Sequence, residues 1–152
     1  MKENLKLRGI VTAILRDKDG NVKQEQTIDN LVVTGGLGFI TDRMQGAGTG
    51  VISHMGVGTT NTAPATGNTA LVAEVGTRAT VTASRVTTTT ANDTAQYVST
   101  FAAGNATGAL VEAGLFNAST GPLMVSRVVF AVINKGASDS LDITWKIQLT
   151  AA

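Results

Sequence analysis

The residues best placed to do chemistry lie in SHMGVGTTNTAPATGNTAL (53–71), where the chain's single histidine, His54, follows Ser53 and precedes Gly56, Gly58 and Gly67. Imidazole exchanges a proton near neutral pH and glycine lets a backbone approach a substrate, so acid–base or phosphate chemistry would have to sit here. Neither chemistry is completed. In an extended segment Ser53 and His54 point to opposite faces, and neither Asp42 nor Glu74 stands at a spacing that specifies a triad. GVGTTNTAP lacks the Gly-Lys-Ser/Thr ending whose lysine and amide nest neutralise phosphate. VVTGGLG (32–38) has the wrong glycine spacing for a dinucleotide loop, and no parallel βαβ unit or ribose-binding acid follows it.

A structural reading fits the same run better. Met55 and Val57 face a core, Gly56 and Gly58 permit close approach of backbones, and Pro64 with Gly67 shapes a surface loop that returns at Leu71. The remaining acids give no catalytic pair: Asp17 and Asp19 fall in DKDGN, a hairpin turn far short of a calcium loop. Glu112 lies in the apolar run LVEAGLF, where burial would raise its pKa unless an arginine or backbone amides compensate. Its expected place is a solvent-facing strand, a rim or a structural ion pair, with a specific subunit contact as the functional alternative. Arg127 is expected at a solvated strand position, with an interface anchor as its alternative. Trp145 shares inward parity with leucines and isoleucines, so it is read as core rather than as a platform for sugar, and Phe116 and Phe130 likewise.

Composition sets the frame in which these residues act. The chain has 152 residues, enough for one domain spanning 1–152, and only 15% are charged, with a formal net charge of +1. So small a net field gives no footprint for direct nucleic-acid binding. Without cysteine there are no disulfides, no thiol nucleophile and no cysteine-bound zinc. The start, MKENLKLRG, has no apolar signal core and no later segment approaches a membrane span, so cytoplasmic synthesis without a membrane partner is expected. Residues 1–4 are read as a flexible or partner-bound arm.

The elements that must position everything are strands. LKLRGIVTAIL (5–15) alternates with Leu5, Leu7, Val11, Ala13 and Leu15 inward, and VKQEQTI (22–28) returns after the Asp-Gly turn. One short helix is expected near 35–45, capped by Thr34, with Leu37, Ile40 and Met44 on one face and Gly46 as its stop. Further strands are expected at 51–58, as one long threonine-rich strand at 77–90, and at 94–103, 109–117 and through 133. The last, 141–149, places Leu141, Ile143, Trp145, Ile147 and Leu149 inward against Asp142, Thr144, Lys146 and Gln148 outward. Such a succession of short strands indicates an all-β fold, a β-sandwich or jelly roll.

Three segments, ISHMGVGTTNTAPATGNTALVAEVGTRA (52–79), LVEAGLFNASTGPLMVSRVVF (110–130) and LDITWKIQL (141–149), resemble small structural proteins of tailed bacteriophages. The closest likeness is to a capsid cement or decoration protein. That resemblance implies a non-enzymatic protein without cofactor or metal, bound as a homo-dimer or trimer to the major capsid protein on the outer surface of the virion head. A tail-fibre or baseplate component is the first alternative and a carbohydrate-binding module the second.

Overall fold

A computed structural model describes residues 2–121 and 123–151. Among the described residues the fold is all-β with one helix, and nine strands run in chain order: β1 (Leu5–Arg16), β2 (Val22–Val32), β3 (His54–Gly58), β4 (Glu74–Thr80), β5 (Thr82–Val86), β6 (Thr94–Phe101), β7 (Gly108–Phe116), β8 (Met124–Lys135) and β9 (Ser140–Ala151), with α1 (Thr34–Met44) between β2 and β3. All pairings are antiparallel, in the order β4-β3-β7-β8-β2-β1-β9-β6-β5.

Two sheets face each other across one core. Sheet A is β2-β1-β9-β6-β5 and sheet B is β8-β7-β3-β4. Two strands turn the corners between them and nearly close the sandwich into a barrel. β2 pairs with β1 over most of its length and then with β8 at Leu31 and Val32. The chain from β4 to β5 runs on with only Val81 between, pairing first with β3 and then with β6. The single strand expected at 77–90 is therefore two strands on opposite edges of the sheet order. At Val81 the amide turns aside to the Ser53 carbonyl at 2.9 Å, which is where the chain changes partner.

The longest ladder joins β1 to β9, from Leu5↔Ala151 to Arg16↔Ser140. Its inward residues Val11, Ala13, Leu15, Leu141, Ile143 and Trp145 are sealed, and Met55, Val57, Leu115, Val128 and Ile133 meet them from sheet B. Two residues expected inward are not: Leu5 is 67% exposed and Leu149 37% exposed, because both lie at the open end of the ladder. Gln148, expected outward, is buried beneath the loop that follows β5.

The helix spans nearly the residues expected but buries a different face. Gly36 and Phe39 are buried, whereas Leu37 and Met44 are exposed and Ile40 is half-buried. Its N-cap is Val33, with no side-chain cap, and the Thr66 carbonyl accepts the Thr34 amide at 2.8 Å instead. Glycine explains the rotation: Gly36 lets the helix backbone lie directly on the Val125 carbonyl of β8, which a side chain there would prevent, and Gly35 sits close over the Met124 carbonyl. Gly46, at φ +76, ends the helix in the left-handed conformation.

Candidate functional site on the two outer sheet faces

The outer face of sheet B is built over glycine. Gly56, Gly58 and Gly114 line up across β3 and β7, with Gly56 opposite Gly114 and Gly58 opposite Glu112. A Cβ at Gly58 would come within 2.4 Å of Glu112 Oε1 and 2.5 Å of the Ala73 carbonyl. At Gly56 it would meet Glu74 Oε1 at 2.6 Å and the Phe116 ring at 3.2 Å. The absent side chains leave a floor on which charged and aromatic groups lie flat.

Glu112 and Arg127 occupy that floor together, and neither is solvated. Both are fully buried, which corrects the solvated strand position expected of Arg127, while of the places expected of Glu112 the structure has the structural ion pair and neither the solvent-facing strand nor the rim. Arg127 donates from Nε and Nη2 to Glu112 Oε2 at 3.0 and 2.8 Å, while the amides of Ala73 and Val72 donate to the carboxylate at 2.9 and 3.3 Å. The guanidinium also reaches Asn68 Oδ1 at 3.1 Å and the Thr62 carbonyl at 2.9 Å. Arginine and backbone amides together thus meet the demand that burial places on a carboxylate. This pair fastens the 59–73 segment across sheet B. Pro64, half-buried, and Gly67, exposed in a turn, lie in that segment, which is shaped by Asn68 accepting the Ala65 amide at 2.8 Å. Beside the pair, Leu71 packs with Val33, Phe116 and Met124, so segment and helix cover this face together.

A second charged group on the same face gave no signal beyond a four-residue spacing. Arg78 makes two bonds to Glu74, at 2.6 and 3.1 Å, reaches the carbonyls of Ala118 and Gly121, and lies 3.4 Å over the Phe116 ring. Four residues apart on a regular strand would be more than 13 Å. The register shift opposite Met55–Val57 and the positive φ of Gly76 shorten that distance. An open depression of about 550 Å³ adjoins it, lined by Thr77, Ser119, Thr120 and Gly121 as well. Its one arginine is already neutralised by Glu74, and the aromatic ring below is covered, so it offers neither a free cation nor a stacking surface.

Among the described residues the His54 ring has one hydrogen-bond partner. Ser53 Oγ lies 2.8 Å from Nδ1, so the two side chains meet instead of diverging. Ser53 precedes β3, where strand alternation does not yet apply. Among the described residues no carboxylate bonds the ring, and no three metal-ligating side chains converge. Trp145, Phe116 and Phe130 are buried.

Sheet A presents the opposite picture. Ile10, Thr12 and Ile14 of β1, Gln96 and Val98 of β6, and Thr144 and Lys146 of β9 form a face that, among the described residues, no other element covers along its middle. Among its outlying charges two pairs bridge strands, Arg8 with Asp29 at 3.5 Å and Arg16 with Asp142 at 3.0 Å. Lys146 stands near the centre, in a shallow depression of about 290 Å³ with Ile10, Thr12, Thr88, Gln96 and Thr144.

The rim at one end of this face is the loop TTTTAND (87–93), organised by Asp93. Its carboxylate accepts the amides of Thr88, Thr89 and Thr90 at 2.9–3.0 Å and the Gln148 side chain at 2.8 Å. The Thr90 amide above all, with those of Thr88 and Thr89 and the Gln148 side chain, holds this carboxyl well below the usual carboxylate range, outweighing desolvation. Because the folded pKa is depressed, the stabilisation is complete above the unfolded value near 4 and is lost as pH falls below it. Asp93→Asn therefore flattens the acid limb of stability measured by denaturant titration between pH 5 and pH 2. An unchanged slope would remove Asp93 from the acid response.

Comparison with family models, with curated proteins and with solved structures finds no match for this chain. Among the described residues no helix is long and apolar enough to cross a membrane.

Proposed function

We propose that this chain is a non-enzymatic structural protein that cements the outer surface of a bacteriophage head, binding the major capsid protein through the outer face of sheet A. The uncovered, weakly charged middle of that face carries the reading. A flat face of threonine, isoleucine and glutamine can be buried against a coat lattice without desolvating many ions. Repetition over a lattice then converts modest single contacts into firm attachment. Sheet B, in contrast, spends its charged groups on one another and is closed by the 59–73 segment and α1. The likeness of segments 52–79, 110–130 and 141–149 to phage decoration proteins points the same way.

Cosedimentation with intact, undecorated phage heads, followed by electron cryomicroscopy of the pellet, tests this. Saturable density at repeated lattice positions is the expected result. Thr144→Lys puts a second cation beside Lys146 in the middle of the face and lowers head binding by more than tenfold, the folded state being unchanged by circular dichroism. Failure of the native chain to bind competent heads overturns the reading. Binding to isolated tails would transfer it to a fibre or baseplate role, and binding to a defined glycan to a carbohydrate module.

A further inference from the structure

Among the described residues the sheet order leaves strand edge without a neighbouring strand along β2 and β8 where the two part, along β4 and along β5, and the chain treats these edges differently. Along β2, where the strand has parted from β8, Gln24 and Gln26 donate side-chain amides to the carbonyls of Val132 and Ala131 at 3.0 and 2.7 Å. Along β4, the Asn105 side chain imitates a strand: its Oδ1 accepts the Thr77 amide at 2.9 Å and its Nδ2 donates to the Thr77 carbonyl at 3.0 Å. The positive φ of Gly76 also breaks the regularity of β4. Both edges are closed to an incoming chain.

β5 has none of these devices. It pairs only with β6, in regular register from Thr82↔Val98 to Val86↔Thr94. Thr82, Ala83, Ser84 and Arg85 are all exposed. Among the described residues no group on another element bonds its free edge. Its sequence, TASRV, holds no proline, no lysine and no acid, its one charge being Arg85, and is rich enough in β-branched side chains to remain extended.

We infer that β5 is a self-association edge, on which the β5 of a second copy adds antiparallel about a two-fold axis through Ser84. The register follows from the ladder itself. In an antiparallel strand alternate residues direct their backbone groups to the free edge, so a bonded partner must belong to the same alternate set. A two-fold pairing meets that condition only when it is centred on a residue. Centring on Arg85 sets two arginines directly opposite each other, which is repulsive. Centring on Ala83 leaves Val86 without a partner within the strand. Centring on Ser84 pairs Thr82 with Val86 and Ala83 with Arg85, uses the whole strand, and keeps the charges apart. The two copies of sheet A then form one continuous sheet, and the interface is isologous.

This association needs no capsid, so it is measured on the purified chain. Sedimentation velocity is expected to show a concentration-dependent monomer–dimer equilibrium, and a chain that stays monomeric at 100 µM, roughly the upper range for a functional weak dimer, overturns the inference. The absence of native cysteine allows a register test by single substitution under mild oxidation. Ser84→Cys places two thiols opposite each other across the axis and is expected to yield covalent dimer. Thr82→Cys, on the same strand and same side, leaves its thiols about 13 Å apart along the strand and should not cross-link. Equal cross-linking of both variants, or of neither, overturns the register. Ser84→Lys and Ser84→Glu should each weaken the dimer more than tenfold, and mixing them should restore it as a heterodimer; a dimer that survives Ser84→Lys alone also overturns the assignment.

Discussion

Arg127→Ala lowers folding stability by about 3–5 kcal/mol, and Glu112→Ala by a comparable amount, because each leaves a fully buried charge without its counter-ion. For a domain of this size that is about 6–20 °C in melting temperature. The loss has two parts that separate experimentally. One is the stranded charge itself; the other is release of the 59–73 segment, whose carbonyl at Thr62 and side chain at Asn68 are held by the guanidinium. Arg127→Met with Glu112→Gln removes both charges while keeping an acceptor for the Ala73 amide, the shorter of the two backbone bonds. It should recover a substantial share of the stability but not the protection of 59–73 from protease. Single variants that lose less than about 1 kcal/mol would mean that water or a neighbour replaces the missing partner, as for an exposed pair.

Gly36→Ala destabilises by about 2 kcal/mol, although the same change at Gly38 stabilises by up to about 1 kcal/mol. Both residues are in α1, and alanine improves intrinsic helix preference at each. They differ in what the new methyl meets. At Gly38 nothing lies within 4 Å, whereas at Gly36 the methyl would fall 2.0 Å from the Val125 carbonyl oxygen and 2.9 Å from its carbon. Those are backbone atoms of β8 and cannot turn aside like a side chain. The helix must lift, which draws Phe39 and Val33 from their burial and pulls the Thr34 amide from the Thr66 carbonyl. Overpacking of this kind costs roughly 1–3 kcal/mol, and a clash against backbone belongs at the upper end, offset by alanine's better propensity. Chemical denaturation of the two variants beside the native chain decides the matter, and equal signs would refute the contact.

The contrast at Gly36 and Gly38 also marks what could be read from the residues alone. Alternation in β1 and β9 named Val11, Ala13, Leu15, Leu141, Ile143, Trp145 and Ile147 as core, because a two-residue period leaves a sheet only one buried face. The helical period in 34–44 misnamed the buried side. There the apolar stripe of Leu37 and Met44 competed with close backbone approach at Gly36, and the latter prevailed. The partnership of Glu112 with Arg127 lies across neighbouring strands fifteen residues apart, and a bulge on each side of it in the β7–β8 register erases the spacing that would announce it. For Arg78 the obstacle was the irregular backbone at Gly76, and for Asp93 it was the distance to Gln148. In each case the deciding partner comes from another element.

The pairing of Leu5 with Ala151 has a mechanical meaning. The first and last strands begin and end at one pole of the barrel, so tension applied through both termini would meet the β1–β9 ladder one bond at a time and open it like a zip. Tension applied across the outside of sheet A would instead load many parallel bonds together, as shear. A sheet held by that face resists lateral stretch while remaining easy to peel from its ends.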